Sequence, residues 1–298
     1  TAENNTAVGT EAMIGNSTGQ NNVGVGRNAL RNNTTANNNT AIGATALFAN
    51  TTGTQNVAVG SQALDANTTA SNNTAVGDQS LTTNTTGHSN AALGRQSLLS
   101  NTTGNNNTGL GFEALALNTT ASNNTAIGSQ ALLVNTTGTN NVAVGSNALD
   151  TNTTGSQNIA IGQSSMNDNT TGINNTVVGY AALHENTTAN NNTAIGYASL
   201  FANTIGTQNV ALGAFALDAN TTADNNTAVG FQALTSVTTA DGNAAFGPKT
   251  LENNTTGESN TALGGFALRA NTIGSNNTAV GINALAANQT TSFNTAVG

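Results

Sequence analysis

The 298-residue sequence contains no cysteine, no tryptophan and a single proline, Pro248. The absence of cysteine excludes disulfide bonds and thiolate metal sites. Charged residues make up 6% of the chain, and its five Lys and Arg residues are too few for the basic surface that nucleic acids or anionic membranes require. No apolar run approaches the ~20 residues of a transmembrane helix. The sequence therefore predicts neither a nucleic-acid partner nor insertion into a membrane.

What the sequence does contain is a 17-residue repeat that runs from end to end without an insertion or a deletion. With Gly9 as position 1, Gly recurs at every 17th residue up to Gly298. Asn occupies every position 14, Leu or Met every position 5, and an apolar residue every position 17. The 5 basic and 13 acidic side chains and both histidines fall only at positions 2, 3, 6, 7 and 12. We expect these five variable positions to face water.

The predicted domain organisation is one uninterrupted repeat array over residues 1–298. No atypical unit caps either end, and solenoids need such caps for solubility. The sequence therefore predicts a window of a longer array or a fibre subunit. Residues 41–77 recur at 194–230 with an offset of 153 residues, which indicates that the array grew by duplicating a block of nine repeats.

The predicted fold class is all-β: a β-solenoid, or parallel β-roll, of about 17.5 stacked coils, because 17 residues are too few for a helical repeat. The segment T/V-A-V/I before each Gly is typical of a short strand. We expect Val and Ile at position 17 and Leu at position 5 to form core columns. We expect Asn at position 14 to form a ladder and Gly at position 1 to provide a turn. The predicted structural residues are Leu47, Leu64, Leu81, Leu98, Leu115 and Leu132 in the core; Gly43, Gly60, Gly77, Gly94, Gly111 and Gly128 in turns; and Asn39, Asn56, Asn73, Asn90, Asn107, Asn124 and Asn141 in the ladder.

The pattern N-T-A-[VI]-G-x-x-A-L-x-x-N-T-T-G resembles the head repeats of trimeric autotransporter adhesins and the repeat regions of phage and bacterial tail-fibre-like proteins. The resemblance covers the whole chain, although the adhesin head repeat is shorter than 17 residues. It implies association into a lateral trimer, whereas the uncapped ends predict an end-to-end filament; the predicted partner is therefore another copy of the chain. The resemblance also implies an extracellular or cell-surface location, or a place in a virion tail fibre.

The glycosylation signal N-x-[ST] occurs at position 8 in 14 of 17 units, and some units add a second at position 13, as at Asn38. One hypothesis is a densely glycosylated extracellular fibre. The other is that Asn-Thr-Thr is simply a good turn sequence. The candidate glycosylation residues are Asn33, Asn50, Asn67, Asn84, Asn101, Asn118, Asn135, Asn152, Asn169, Asn186 and Asn220.

No residue pattern predicts a catalytic, metal or cofactor site. His88 and His184 lie at variable positions, with no Ser and Asp recurring beside them as a triad. No pair of acidic residues recurs at a fixed offset, and the glycine-rich calcium repeat of other β-rolls is missing. We therefore expect no enzyme activity and no cofactor.

The leading hypothesis is a non-enzymatic extracellular structural fibre, or the shaft of a surface adhesin or tail fibre. The alternative is a receptor-binding or glycan-binding solenoid that uses the variable positions, which hold eight of the ten aromatic residues; drift on a tolerant surface explains those residues equally well. A minor alternative is an ice-binding β-solenoid, because position 10 is Thr in 16 of 18 units. A flat T-x-T face is expected for that function, whereas positions 9 and 10 give adjacent T-T.

Overall fold

The structure, a computed structural model, describes residues 2–298 and confirms the predicted fold class. Those residues form a β-solenoid with one three-residue strand in each repeat and no helix. The chain divides into two compact units, residues 2–154 and Gly155–Gly298. The first unit holds β1 (Thr6–Val8), β2 (Val23–Val25), β3 (Thr40–Ile42), β4 (Val57–Val59), β5 (Thr74–Val76), β6 (Ala91–Leu93), β7 (Thr108–Leu110), β8 (Thr125–Ile127) and β9 (Val142–Val144). The second holds β10 (Ile159–Ile161), β11 (Thr176–Val178), β12 (Thr193–Ile195), β13 (Val210–Leu212), β14 (Thr227–Val229), β15 (Ala244–Phe246), β16 (Thr261–Leu263), β17 (Thr278–Val280) and β18 (Thr295–Val297).

Within each unit, every strand pairs in parallel with the strand of the next repeat. The register is one repeat, so that Thr40 lies beside Val57 and Ala41 beside Ala58. Each residue therefore meets the same repeat position in the coils above and below. Because the chain has no insertion, one kind of contact is repeated at every coil.

The segment between the strand and the next turn uses an alternating backbone rather than a second strand. Positions 3 and 5 are left-handed, as at Gln62 (φ 56°) and Leu64 (φ 55°). The backbone N–H of Gln62 donates to Ala44 O (2.9 Å) in the coil before. The backbone N–H of Leu64 donates to Ser80 O (2.9 Å) in the coil after. The alternation sends successive amides to both neighbouring coils. Left-handed backbone geometry costs free energy for Leu. Burial of the Leu side chain in the core offsets this cost.

The core of each coil is small and largely polar. Leu at position 5 is fully buried, as the sequence predicts, and the core leucines named above are all inaccessible to solvent. Asn at positions 8 and 14 is also buried through most of the chain, together with Ala at position 16. One large apolar side chain per coil thus packs among amides and methyl groups.

The predicted Val/Ile core column at position 17 is wrong. The middle residue of each strand points inward and the first and third point outward, so that Ala92 is 1% exposed and Leu93 47%. The physical reason is the narrow width of the coil. Leu at position 5 and the two Asn columns fill most of the interior, so the strand side contributes mainly the methyl group of Ala, with Val177 as the largest inward residue. The alternation of the strand was predicted correctly, but its inner and outer faces were exchanged.

Candidate interaction surfaces

The ladder of Asn at position 14 is bonded from coil to coil. The backbone amide of Asn56 donates to Asn39 Oδ1 (2.9 Å), and Asn56 Nδ2 donates to the same atom (3.2 Å). Asn56 Nδ2 also donates to Ala70 O (2.9 Å) in the next coil. Each side chain therefore connects three successive coils, and its buried amide is satisfied.

Asn at position 8 forms a second ladder that the sequence analysis missed. Asn50 Nδ2 donates to Asn33 Oδ1 (3.0 Å) in the coil before and to Gly53 O (2.9 Å) in its own coil. Asn50 Oδ1 in turn accepts from Asn67 Nδ2 (2.9 Å). Both columns of Asn are thus structural.

This burial contradicts the predicted glycosylation at position 8. Every candidate, from Asn33 to Asn220, is inaccessible to solvent. The nitrogen that would carry the glycan is used as a hydrogen-bond donor in the core, as in Asn84 and Asn101. A signal in the sequence pointed this way: Asn203 and Asn271 keep Asn although the Thr of the glycosylation signal has become Ile.

The position-8 ladder is broken at one coil, where Val237 replaces Asn. Val237 is fully buried. Asn220 Oδ1, which faces it from the coil before, accepts no hydrogen bond from any described residue. On the other side, Asn254 Nδ2 donates to Gly257 O (2.8 Å) within its own coil, and Val237 offers it no acceptor in the coil before. The break leaves a buried acceptor without a donor, which costs about 1–3 kcal/mol.

The outward residues of the strands form a charge-free surface in each unit, here called the Val/Thr face. It consists of the first residue of each strand, which is Thr, Val, Ile or Ala, and the third, which is Val, Ile, Leu or Phe. Many of these side chains are strongly exposed, for example Ile42 (41%) and Leu212 (44%). No Asp, Glu, Lys, Arg or His occurs on it. Apolar residues in such numbers on a surface point to an interaction.

The Val/Thr face of the first unit contains a shallow apolar depression around Ala91. Thr74 and Val76 line it on one side and Thr108 and Leu110 on the other. The depression arises because Ala91 stands in a column otherwise filled by Thr and Val in its neighbourhood. The face is therefore concave rather than flat at this point.

The aromatic residues at variable positions stack along the solenoid. Tyr180 and Tyr197 lie in successive coils with ring centroids 5.3 Å apart and planes inclined by 10°. Phe215 meets Tyr197 edge to face at 5.2 Å, and Phe231 meets Phe215 at 6.4 Å. Such pairs contribute about 0.5–1.5 kcal/mol beyond area burial. The stacking covers one face of Tyr180 and one face of Tyr197, and both rings remain about half exposed.

The surroundings of two aspartates at position 6, Asp65 and Asp218, disfavour the charged form of the carboxyl group. Burial raises the pKa of Asp65, whose Oδ1 accepts no hydrogen bond from a described residue. Burial also raises the pKa of Asp218, although Thr235 donates to it and opposes the shift. Glu252 behaves differently: burial alone would raise its pKa, but hydrogen bonds from Lys249 (2.9 Å) and Arg269 (2.6 Å) lower it overall.

We expect Asp65→Asn to stabilise the protein at neutral pH. The folded pKa of Asp65 is raised above its unfolded value, so its stabilising contribution is complete below the unfolded pKa, at about 3.9, and is lost as pH rises through the folded pKa. At pH 7 the gain from Asn is below about 1 kcal/mol, because the carboxyl is half exposed and screened by water. Urea unfolding at pH 7 and at pH 3 measures it, with Asp78→Asn at an exposed position as the control. An equal gain at both pH values, or an equal gain from the control, would contradict this account.

The two histidines lie in different coils, and His184 Nδ1 is 3.9 Å from Asp168 Oδ2. His88 is exposed at position 12, and His184 stacks on Phe201 with centroids 5.2 Å apart. Among residues 2–298 no three His, Asp or Glu side chains lie close enough to bind a metal ion together. The same residues include no helix with the length and apolar character needed to cross a bilayer.

The chain was compared with protein families and with curated proteins. No family model matches it, and no curated protein matches it.

Proposed function

We propose that this chain is a non-enzymatic structural element, the stacked shaft of an extracellular fibre, a surface adhesin or a tail fibre. The observation that carries the proposal is that the invariant residues are used for stacking. Gly at position 1 passes against the backbone of the next coil, and Asn at position 14 bonds both neighbouring coils. Contacts that are repeated at every coil extend the solenoid. They do not bring reactive groups together at one place. The extracellular or virion location is supported by the resemblance of the repeat pattern.

The alternative is a receptor-binding or glycan-binding solenoid, which the strip of Tyr180, Tyr197, Phe215 and Phe231 favours. Three of these four rings are close to half exposed, and exposed aromatic residues are common at binding sites. The stacking of the two tyrosines weakens this alternative, because a sugar stacks on the face of a ring and one face of each tyrosine is already occupied.

Deletion of whole repeats distinguishes the two functions. Removing residues 180–230 deletes three coils with most of the aromatic strip and joins Gly179 to Phe231 in register. Removing residues 61–111 deletes three coils without the strip and joins Gly60 to Phe112. Small-angle X-ray scattering is expected to show the same shortening for both, about 14 Å from a coil spacing of ~4.8 Å.

Adhesion of the same proteins to immobilised polysaccharides and to cells provides the second readout. A structural shaft predicts that both deletions leave adhesion at the level of the intact chain. Loss of adhesion only after deletion of residues 180–230 would overturn the structural proposal in favour of the binding alternative.

A further inference from the structure

The Val/Thr face has the size of a protein–protein interface. With strands ~4.8 Å apart and three residues spanning ~10 Å, the nine strands of one unit present about 430 Å². Pairing of both units with a second copy would use twice that area, about 860 Å² from each chain. A stable interface uses about 800 Å² from each partner, and the largest apolar patch on a typical monomer is about 300–600 Å².

Charge restricts which surface of the chain can meet another copy. The net charge is −8, so that two copies repel each other wherever their variable positions approach. All 18 charged side chains lie at positions 2, 3, 6, 7 and 12, and none lies on the Val/Thr face. Contact through this face removes apolar side chains from water without desolvating any charge.

In two strands of the face a small first residue accompanies a large third residue. The only alanines among the first residues of the strands are Ala91 and Ala244. Their strands end in Leu93 and Phe246, the second of which is the largest third residue of any strand. Within one unit, a two-fold axis along the stacking direction sets each strand on the same strand of a second copy, with reversed direction. The third residue of one chain then meets the first residue of the other.

We propose that the Val/Thr face of each unit binds the same face of a second copy of this chain across such a two-fold axis, with sheet packed on sheet at about 10 Å. Leu93 enters the depression at Ala91 of the partner subunit, and Phe246 covers Ala244 of the partner subunit. Each contact occurs twice, as an isologous interface requires. Ice fits this surface less well, because third residues that range from Val to Phe do not give the regular array that a crystal lattice needs. The inference does not depend on the structural function, since a binding solenoid would expose the same face.

The mass of the protein in solution tests the proposal. Light scattering after size-exclusion chromatography is expected to give twice the 29.5 kDa of one chain. The triple variant Val76→Lys, Leu93→Lys, Leu110→Lys places charges on the face and is expected to halve the mass. The matched control Thr69→Lys, Thr86→Lys, Thr103→Lys puts the same charges, equally spaced, at exposed positions outside the face and is expected to keep the doubled mass. Circular dichroism checks that both variants are folded.

Crosslinking tests the pairing without depending on the folding of the charged variant. The chain has no cysteine, so a short thiol-reactive crosslinker reports only introduced residues. Ala91→Cys chains mixed with Leu93→Cys chains are expected to crosslink, whereas Ala91→Cys chains mixed with Thr86→Cys chains are not. A single-chain or three-chain mass for the unmodified protein, an undiminished mass for the folded face variant, or equal crosslinking of both mixtures would overturn the proposal.

Discussion

Gly77→Ala is expected to lower the free energy of unfolding by about 2–5 kcal/mol, the combined cost of backbone strain and overpacking. Gly77 has φ 138°, which side chains rarely adopt. A Cβ there would lie 2.5 Å from Gly94 O and 2.6 Å from Gly94 C in the next coil. Both atoms belong to backbone that is held in the ladder, since Gly94 N–H donates to Val76 O (2.8 Å). The collision cannot be relieved by turning a side chain.

Two other glycines supply the controls for this measurement by urea unfolding. At Gly265 an added Cβ would meet only Pro248, at 3.5 Å or more, and φ is not in the left-handed region. Gly265→Ala is therefore expected to leave stability unchanged or slightly increased. Gly242 has φ 69° with nothing closer than 3.7 Å, so that Gly242→Ala isolates the strain, at about 1 kcal/mol. If all three variants lost the same stability, close stacking at position 1 would not be the cause.

Val237→Asn is expected to stabilise the protein by about 1–3 kcal/mol, because it supplies the missing donor to Asn220 Oδ1 and a new acceptor to Asn254. Replacing a buried apolar residue by a polar one is normally destabilising. The sign of the change therefore depends on the ladder alone. Unfolding in urea measures it, and local hydrogen exchange around residues 220–254 shows whether the gain lies at the repaired coil.

Asn84→Val is the reciprocal change in the first unit. Asn84 Nδ2 donates to Asn67 Oδ1 (3.1 Å), and Asn84 Oδ1 accepts from Asn101 Nδ2 (2.9 Å). Val fits at this position of the repeat, as Val237 demonstrates, so that the expected loss of about 1–3 kcal/mol reflects lost hydrogen bonds rather than a clash. The account of the position-8 column fails if Asn84→Val is neutral while Val237→Asn destabilises.

The sequence was sufficient for the features that depend on periodicity. The 17-residue unit, the strand before each Gly and the inward Leu at position 5 follow from spacing and from turn chemistry. Parallel stacking in register follows from a repeat without insertions, since any other pairing would bring different positions together. These predictions required no knowledge of how wide the coil is.

Periodicity alone did not determine which side of each strand faces the core. Alternation shows that Ala75 and Val76 point in opposite directions, and hydrophobicity alone placed the larger residue inside. The range of side-chain sizes found at each position was the better indicator of which side faces the core. Position 16 is Ala in 15 of 18 strands, with Gly24, Gly109 and Val177 as the exceptions, whereas position 17 ranges from Val to Phe. A column restricted to small side chains is limited by a packed interior.

The role of Asn at position 8 was hidden by a coincidence of motifs. Asn-Thr-Thr is at once a turn and a glycosylation signal, and in the folded coil the Asn side chain turns inward. There Asn67 Nδ2 bonds both Asn50 Oδ1 (2.9 Å) and Ala70 O (3.0 Å). Whether an amide in a turn faces water or the neighbouring coil depends on the backbone on both sides, which local sequence does not determine.

Electron cryomicroscopy of the native protein at side-chain resolution tests the central claim most directly. The account predicts coils spaced ~4.8 Å apart and two columns of buried amide density in each unit, with the position-8 column of the second unit interrupted at Val237. It also predicts the strand alanines inside with Val, Ile and Leu outside. Density for a glycan on Asn50, or a core lined by the position-17 side chains with the alanines exposed, would contradict it.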